Sequence, residues 1–281
     1  MVVHEPIHIK GNDMFKYVAT KEGWAGRGTQ NDPYIIKNLE IDGEGSSYCI
    51  SIENVDAYFV IKNCVCKNTT ENIPEALGSG IFLHNTQHGI LIDNICSENE
   101  LYGIYLFKSH HNIVCRNECY KNDLRGIILL SSNYNILLNN LLINNIGHDI
   151  YLDGSDYNII SENYCTDGSW TGIDLRGSYN NILSKNVCVK HTGIDEAGIS
   201  LYGSIDNYMS NNISIYNTIG IWIKYEFEKN HILSQNISLY NEKNNLNIYS
   251  LPSYVSILSN NITTTPNLVQ GDVVKRRLIT I

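Results

Sequence analysis

An internal repeat constrains the fold of this 281-residue chain more than any other feature of its sequence. Aligned on one asparagine, the chain repeats that residue at intervals of 23 to 31 residues, and four consecutive intervals are 23 residues long. The aligned positions are Asn38, Asn63, Asn94, Asn117, Asn140, Asn163, Asn186, Asn212, Asn236 and Asn261. A period of about 20–50 residues indicates a solenoid, in which each repeat buries its apolar side against its neighbours.

Other columns recur with this asparagine. An apolar residue stands three positions before it, as at Leu91, Val114 and Leu137, and a Gly-Ile-x-Leu segment follows it in most repeats. A 23-residue unit is too short for a strand, a helix and their loops, so it favours short strands. Asparagine suits stacked strands, because its amides form ladders and it tolerates left-handed corners. A second asparagine column has the same period: Asn68, Asn99, Asn122, Asn145, Asn217 and Asn241.

These patterns predict an all-β fold, a single-stranded right-handed parallel β-helix solenoid of about ten coils. A leucine-rich repeat, the main rival, would need denser leucines around its asparagine than this chain has. We expect an N-terminal cap and entry segment at residues 1–33, the parallel β-helix at 34–264, and a C-terminal tail or cap at 265–281. Residues 69–78 interrupt the period and predict an inserted loop.

The eight cysteines are predicted to be packing residues rather than disulfides. Cys96, Cys119, Cys165 and Cys188 share one inward column with Ser, Thr, Val and Leu residues of other coils. Because such a column accepts any small or apolar side chain, we interpret these cysteines as buried free thiols.

A column of isoleucines stands directly before the apolar column, for example at Ile90, Ile113 and Ile136. A regular strand cannot bury two successive side chains on the same face. Either a corner therefore turns both residues inward, or a ridge of isoleucines is exposed. We predict the corner.

Charge and composition argue against several classes of partner. The formal net charge is −9 and the pI is near 5.4, which disfavours nucleic acid and anionic membranes. No apolar run reaches about 18 residues, so no membrane span is predicted. The first residues lack the basic and apolar regions of a signal peptide. This leaves a cytoplasmic protein, or an exported one whose leader has been removed.

No cofactor is predicted, and no spacing of His, Cys, Asp or Glu residues indicates a metal site. His148, Asp149, His191, Asp195 and Glu196 lie at turns that precede the Gly-Ile-x-Leu strands. These five side chains could reach the rim of the outward face of those strands or bind a metal, but turn residues are usually solvated, so we favour exposed side chains.

The Gly-Ile-x-Leu-x strands present a stripe of outward side chains, since Ile and Leu point inward and the x positions point outward. In the earlier coils the stripe is apolar and aromatic. Its members there are Phe82, Tyr105, Phe107, Ile128 and Leu130. A large apolar patch is usually covered. We predict an interface, covered by the 69–78 loop or by a second subunit of a homo-oligomer.

In the later coils the stripe combines aromatic rings with charged groups, a combination that fits either a carbohydrate site or ordinary protein surface. Sugar rings stack on aromatic faces, and their hydroxyls pair with charged groups. The predicted substrate-binding residues are Tyr151, Tyr202, Trp222, Lys224 and His84.

Within this half of the stripe, Asp153, Asp174 and Arg176 are the predicted catalytic residues. Two carboxylates about 5–5.5 Å apart suit retaining glycoside hydrolysis, and about 6.5–9.5 Å suits inversion. Asp153 and Asp174 lie one coil apart, and Arg176 follows Asp153 by one period of 23 residues. The alternative is a surface Asp–Arg pair that contributes little energy.

The segment from Gly28 to Ile41, Gly-Thr-Gln-Asn-Asp-Pro-Tyr-Ile-Ile-Lys-Asn-Leu-Glu-Ile, resembles the entry strand of archaeal and bacterial NosD-like proteins. Their β-helix repeat is often called a carbohydrate-binding and sugar-hydrolysis domain, and the resemblance extends over residues 28–264. It implies a carbohydrate polymer as partner. Pectate lyases, polygalacturonases and mannuronan epimerases share the architecture, but none of their catalytic signatures is intact here. A role in copper-enzyme maturation has no support among these residues.

Three classes of function therefore remain open. The first is an extended polysaccharide-binding protein, and the second is a polysaccharide-active hydrolase or lyase. The third is a non-catalytic assembly protein that uses the aromatic face as a protein interface. Fold alone does not separate them, because this architecture carries many functions.

Overall fold

The computed structural model describes residues 1–70, 78–224, 230–249, 256–263, 267–270 and 273–280. All pairings between its strands are parallel, and consecutive turns of the chain stack directly on one another. The prediction of a right-handed parallel β-helix is confirmed, with about nine turns in place of ten. No helix within the described ranges is long and apolar enough to cross a membrane.

The regular elements of the described residues are one helix, α1 (Asn12–Glu22), and a series of strands. The first strands are β1 (Val2–His4), β2 (Ile7–Lys10), β3 (Tyr34–Lys37), β4 (Leu39–Asp42), β5 (Tyr48–Glu53), β6 (Phe59–Lys62), β7 (Val65–Lys67), β8 (Ser79–His84), β9 (Gly89–Ile92), β10 (Ile95–Ser97), β11 (Tyr102–Phe107), β12 (Ile113–Cys115), β13 (Glu118–Tyr120), β14 (Arg125–Leu130), β15 (Ile136–Leu138) and β16 (Leu141–Ile143). The others are β17 (Ile150–Asp153), β18 (Ile159–Ser161), β19 (Tyr164–Thr166), β20 (Ile173–Arg176), β21 (Ile182–Ser184), β22 (Val187–Val189), β23 (Ala197–Tyr202), β24 (Tyr208–Ser210), β25 (Ile213–Ile215), β26 (Ile219–Lys224), β27 (Ile232–Ser234), β28 (Ile237–Leu239), β29 (Asn244–Tyr249), β30 (Ser256–Thr263), β31 (Asn267–Gln270) and β32 (Val273–Thr280).

The strands form three faces around one core. Sheet I contains β2, β5, β8, β11, β14, β17, β20, β23, β26, β29 and β31. Stack II begins with β3, β6 and β9 and continues with every third strand to β27, while stack III begins with β1, β4 and β7 and continues to β28. Strand β30 pairs with both β27 and β28 and so joins the two stacks. Inward isoleucines such as Ile104, Ile127 and Ile150 stand in adjacent rows and are fully buried.

Left-handed corners separate the strands, and most corners precede a polar side chain that points into the core. In the turn that contains β11, β12 and β13, four residues have φ angles of 48–55°. They precede four buried residues: Lys108 before Ser109, His111 before Asn112, Arg116 before Asn117, and Lys121 before Asn122. The corner leaves backbone groups outside the sheet ladders, and the inward side chains supply their hydrogen-bond partners.

The ladder at Asn117 shows how this works. Its backbone N–H donates to Oδ1 of Asn140 at 3.0 Å, and its Nδ2 donates to the carbonyl oxygen of Leu91 at 2.9 Å and to Asn140 Oδ1 at 3.1 Å. Asn140 makes the same contacts with Asn163, at 2.9 Å in each case. The predicted inward ladder of Asn117, Asn140 and Asn163 is therefore confirmed.

Two further ladders were missed in the sequence because their residues recur less conspicuously. One is an asparagine ladder of Asn112, Asn135, Asn158, Asn181 and Asn207. The other is a hydroxyl ladder of Thr86, Ser109, Ser132, Ser155, Ser178 and Ser204.

The prediction was wrong for the first asparagines of the main column. Asn38 and Asn63 have φ angles of 59° and 51° and are exposed corner residues. Lys62 pairs with Ile92, so Asn63 aligns with Asp93, and Cys64 occupies the ladder position beside Asn94. The N–H of Cys64 donates to Asn94 Oδ1 at 3.0 Å.

The same shift applies to the second column, because Asn68 is also a corner residue, with φ of 58°. Thr69 holds the ladder position and donates to Oδ1 of Asn99 from its N–H at 3.3 Å and from its hydroxyl at 3.0 Å. Asparagine is common both at the exposed corner and at the inward position that follows it. The residue type alone therefore did not show which of the two adjacent residues points inward.

All eight cysteines lie within the described ranges, and all are buried free thiols. Cys96 stands beside Cys66 on one side and Cys119 on the other, in an inward row of stack III. The predicted packing role of this column is confirmed.

The isoleucine column forms an exposed ridge, and the predicted inward corner was wrong. Ile159, Ile182 and Ile232 are 38%, 41% and 38% exposed, while the next residue in each strand is fully buried. The left-handed corner lies before the strand of stack II begins. Within that strand the side chains alternate normally between the two faces, so the isoleucine faces outward.

Helix α1 packs over the N-terminal end of the core. Its Phe15 is fully buried, with its ring stacked 4.6 Å from the ring of Tyr34 and tilted 5.5 Å from that of Phe59. These contacts keep water from the first inward rows, which have no preceding turn.

We predict that replacing Asn140 with Ala lowers the free energy of unfolding by about 2–4 kcal/mol, because buried donors and acceptors of both neighbouring turns lose their partner. The matched control is Asn139→Gly, since Asn139 is an exposed corner residue with φ of 55° where glycine adopts the same backbone. Urea unfolding measures both. Equal effects of the two substitutions would contradict the ladder account.

Candidate functional site

Sheet I presents two outward columns in strict register. The first is Ser51, Phe82, Tyr105, Ile128, Tyr151, Asp174, Ser200, Trp222 and Asn247. The second is Glu53, His84, Phe107, Leu130, Asp153, Arg176, Tyr202 and Lys224. Successive members lie about 4.8 Å apart along the axis, so the stripe predicted from the sequence is a continuous surface.

The apolar half of this surface is largely buried within the chain itself. Phe82, Tyr105 and Ile128 are only 1%, 4% and 4% exposed, whereas Phe107 and Leu130 are partly exposed. Most of the 69–78 loop, residues 71–77, lies outside the described residues. Assignment of this cluster to a protein interface stays a prediction, now centred on Phe107 and Leu130.

His84 belongs to the apolar half. Its ring stacks 5.0 Å from that of Phe107, and its Nδ1 lies 3.8 Å from a carboxylate oxygen of Glu53. It stands three turns before Asp153 in the same column. The structure therefore does not bring His84 together with the other predicted substrate-binding residues.

The charged half centres on Asp174, whose side chain is only 4% exposed. Arg176 donates from Nε to Oδ2 of Asp174 at 2.9 Å, and Nε2 of His148 lies 3.3 Å from the same oxygen. Arg176 does stand beside Asp153, as the period predicted, but its guanidinium pairs with Asp174 on its own strand. An arginine and a histidine therefore converge on one buried carboxylate.

The partners of Asp174 decide its charge. Burial alone would raise its pKa, but His148 and Arg176 outweigh burial and lower the pKa of Asp174 below its usual value of 3.8. The carboxylate is therefore ionised at neutral pH and cannot serve as the protonated acid of a glycosidase pair. Asp153 is half-buried and accepts a hydrogen bond from the Tyr151 hydroxyl at 3.3 Å.

Three polar atoms of this cluster are buried without a hydrogen-bond partner among the described residues. They are Oδ1 of Asp174, Nδ1 of His148 and Oγ of Ser200. Ser200 stands directly beside Asp174 in the next turn and is fully buried. An unsatisfied buried group costs about 1–3 kcal/mol, so such a concentration is typical of a place that receives water or a ligand.

Aromatic rings surround these polar atoms. Tyr202 is 44% exposed, and Trp170 is 40% exposed with its ring edge-on to His148 at 5.1 Å. The Trp222 ring is half-buried beneath Lys224, whose Nζ lies 3.7 Å from the ring centroid. Exposed rings beside buried polar atoms form the combination that a sugar requires, apolar faces next to hydrogen-bonding groups.

Tyr151 is less accessible than the sequence suggested. It is 6% exposed, with the guanidinium groups of Arg125 and Arg176 at 4.1 and 5.5 Å from its ring centroid. Burial raises the pKa of its hydroxyl to about 12. Tyr151 therefore packs within the cluster and offers little surface to a ligand. The more accessible rings are those of Tyr202, Trp222 and Trp170.

The expectation that the turn residues are solvated was wrong for three of them. His148 packs into the cluster, while Asp149 and His191 are fully buried in the core, 2.9 Å apart. Asp195 is exposed and pairs with Lys243 at 2.7 Å, and Glu196 accepts a hydrogen bond from Thr171 at 2.6 Å.

Sequence reasoning missed Trp170 and named His148 only as a turn residue that could reach the rim, because it followed the stripe only from the Gly-Ile pair onward. Two residues before the inward isoleucine, Tyr102 pairs with Arg125 in sheet I, and His148 occupies the corresponding position of the next turn. Extending the alignment two residues upstream would have revealed a third column of large polar side chains.

We predict that Asp174→Asn lowers the free energy of unfolding by about 3 kcal/mol at pH 7, because His148 and Arg176 lose their buried anion. Since the pKa of Asp174 is lowered in the fold, its stabilising charge is present above the unfolded value of 3.8 and is lost as pH falls further. The difference between parent and variant should therefore shrink below about pH 4. Urea unfolding across pH, with the half-exposed Asp153→Asn as control, measures this. A pH-independent difference would refute the assignment.

Metal donors do not converge in this structure. Within the described ranges, no group of three His, Cys, Asp or Glu residues is arranged to hold a metal ion. His8 and His84 flank Glu53, but Nε2 of His8 lies 2.9 Å from one carboxylate oxygen and Nδ1 of His84 lies 3.8 Å from the other. These donors face each other, which leaves no common position for a cation.

Solved structures share this fold at low sequence identity. A periplasmic alginate epimerase, AlgG in its T265N form, matches 98% of this chain and 84% of its own at 16% identity and a TM-score of 0.62. An alginate lyase from Paenibacillus sp. matches 98% and 99% at 14% identity and a TM-score of 0.64. The pectate lyase Pel9A matches 99% and 79% at 10% identity and a TM-score of 0.64. These likenesses establish the fold.

By sequence, no curated protein matches the chain. One family model does, over residues 28–195, and its description is periplasmic copper-binding protein (NosD). The donor geometry of the described residues does not fit a copper centre, so no step is assigned to copper. The match covers more than half of the sequence, and the chain therefore belongs to the NosD family of parallel β-helix proteins.

Proposed function

We propose that this protein binds an acidic polysaccharide along the charged half of sheet I, from Asp153 through Arg176 and Tyr202 to Lys224. The observation that carries the proposal is the set of buried, unsatisfied polar atoms of His148, Asp174 and Ser200 on an outward face. A sugar hydroxyl or a water that bridges to one would supply their missing partners.

The shape of the surface suits a linear polymer. Each turn adds one row to the stripe, and the four rows from Asp153 to Lys224 extend over three steps of about 4.8 Å. Tyr202 and Trp222 are neighbours in adjacent turns, and Trp170 lies on the opposite side of the cluster next to His148. Rings on two sides of a polar row can hold consecutive sugars of an extended chain.

Lys224 favours an anionic ligand. Its side chain is partly buried, and among the described residues its only recorded contact is with the Trp222 ring. Burial lowers the pKa of Lys224, although the carboxylates of Asp174 and Glu196 act in the opposite direction. A partly desolvated cation that makes no ion pair within the described part of the chain gains most from a ligand carboxylate.

The structural relatives support the same substrate class. The names of the compared proteins refer to alginate and pectate, both of which are polymers of acidic sugars. The likeness in fold does not transfer a substrate by itself. It makes polyuronates the first ligands to test against this site.

We predict that Trp222→Ala weakens binding of an oligouronate about tenfold or more, since a central aromatic contact is removed. Lys224→Met should weaken oligouronate binding while leaving neutral glycans unaffected, and parent affinity should fall as pH rises through the lowered pKa of Lys224. Tyr164→Ala is the matched control, because Tyr164 is 42% exposed on stack III. Calorimetry with oligouronates and neutral oligosaccharides measures these effects.

If the parent binds neither class of glycan and measurement of its size shows a dimer through Phe107 and Leu130, the assembly function is the correct one. If Tyr164→Ala weakens binding as strongly as Trp222→Ala does, the site lies elsewhere on the solenoid.

One observation favours a second function, proton abstraction from an acidic sugar. Nε2 of His148 faces the ionised Asp174, and its Nδ1 has no partner among the described residues. A carboxylate that holds one ring nitrogen leaves the other as a base. The proton on the carbon next to a uronate carboxylate is the acidic one, and Arg176 lies beside the cluster to neutralise that carboxylate.

We predict that the parent exchanges this carbon-bound proton with deuterium from solvent when an oligouronate is bound. His148→Gln should abolish exchange and keep binding within about threefold, because glutamine retains a polar side chain but is no base at neutral pH. Mass spectrometry of the recovered sugar measures exchange. Equal exchange by the parent and His148→Gln would exclude His148 as the base.

A further inference from the structure

We infer that Asp149 and His191, buried in the core beneath the site, are positioning residues that hold His148 against Asp174. The inference rests on the proposed function for its biological meaning, but the contact it explains can be tested without a ligand. Neither residue is exposed, and neither touches the outward surface.

The turns beneath the site depart from the repeat at three linked positions. Glycine precedes the inward isoleucine of sheet I at Gly80, Gly103, Gly126, Gly172, Gly198 and Gly220. At Gly103 an added Cβ would lie 2.6 Å from the carbonyl oxygen of Gly126, so glycine is required by close packing. Asp149 occupies this column in the intervening turn.

The other two departures lie in the second asparagine ladder. Five consecutive turns place these residues at the ladder position, in order: Asn122, Asn145, Gly168, His191 and Asn217. A Cβ on Gly168 would approach the His191 ring to 3.1 Å, so the glycine leaves room for the imidazole. Three substitutions relative to the repeat therefore fit one another in space.

Together these residues continue the ladder with ionisable groups. Nδ2 of Asn145 donates to Oδ1 of Asp149 at 2.8 Å, and Nε2 of His191 lies 2.9 Å from Oδ2. On its other side, Nδ1 of His191 lies 3.1 Å from Oδ1 of Asn217. The pair bridges the turn in which Gly168 has no side chain.

The position of Asp149 connects this core pair to the surface. Strand β17 begins at Ile150, whereas β11 and β14 begin two rows earlier, at Tyr102 and Arg125. His148 thus lies outside the strand, in a bend whose next residue is fixed inside the core by two hydrogen bonds. From this bend its ring reaches Asp174 of the following turn.

A purely structural role does not account for the pair. Glycine at 149 with asparagine at 168 and 191 would continue the ladder as it runs elsewhere, without charge in the core. Replacing a buried ion pair by a neutral arrangement is often neutral or stabilising. The Asp149–His191 pair lies in the turns that present His148 and Asp174, and a role in directing His148 gives the pair a reason to be there.

The test is a triple variant, Asp149→Gly with Gly168→Asn and His191→Asn, which restores the repeat. We expect a folded protein with a melting temperature equal to or above that of the parent. In the parent, nitrogen-15 NMR of the histidine rings should show a slowly exchanging Nε2 proton that disappears in His148→Gln and Asp174→Asn. The triple variant should lose this signal and bind the oligouronate about tenfold more weakly.

His231→Asn is the matched control. It returns a different ladder position to asparagine beside Asn207, far along the chain from His148, and should leave the His148 signal and the affinity unchanged. Asp149→Asn provides a second variant that keeps the shape of the side chain. It should speed exchange of the His148 proton even if the triple variant does not fold.

A His148 signal that is unchanged in Asp149→Asn, or retained in the folded triple variant, would overturn the inference. So would absence of the slowly exchanging proton in the parent. A parent that shows the signal and responds to the variants, yet binds no oligouronate, would support the positioning of His148 and reject the proposed function.

Discussion

Hydrogen bonding between the inward side chains of consecutive turns is the interaction on which this structure depends. Left-handed corners such as Arg116 take backbone groups out of the sheets, and the next residue, Asn117, returns a partner to the turn on either side. The amide ladder continues unbroken where the interval lengthens to 26 residues between Asn186 and Asn212, at 3.0 Å. The extra residues of a longer turn therefore lie outside the ladder, and the outward columns of sheet I remain in register.

This rigid register is what makes the outward face of sheet I a surface for function. Side chains that are 22 to 26 residues apart in sequence become neighbours about 4.8 Å apart, so Asp153, Arg176, Tyr202 and Lys224 form one line. Beneath that line the ladder changes from amides to Asp149 and His191. This departure from the repeat lies under the surface that carries the unsatisfied polar atoms, and it supports the proposal that these turns form the functional site.

Periodicity predicted the solenoid, the inward ladder from Asn94 onward and the buried cysteines, because each follows from which residues recur. It failed for Asn38 and Asn63, since corner and ladder positions are adjacent and both accept asparagine. The prediction for the isoleucine column was wrong for a similar reason, because the recurrence of a residue does not show which way its side chain points. The contact of His148 with Asp174 involves a residue two positions before the inward isoleucine, outside the stripe followed from the Gly-Ile pair, so the predicted stripe did not include it.

The most direct test of the account is to follow the three tryptophan indole N–H signals by nitrogen-15 NMR while an oligouronate is added. Trp170 and Trp222 flank the proposed site, whereas Trp24 packs beside Phe15 at the N-terminal end of the core. The account predicts that the signals of Trp170 and Trp222 shift together with one affinity while that of Trp24 stays in place. If saturating oligouronate shifts the signal of Trp24 alone, or shifts none of the three signals, the result would contradict a polysaccharide site on the charged half of sheet I.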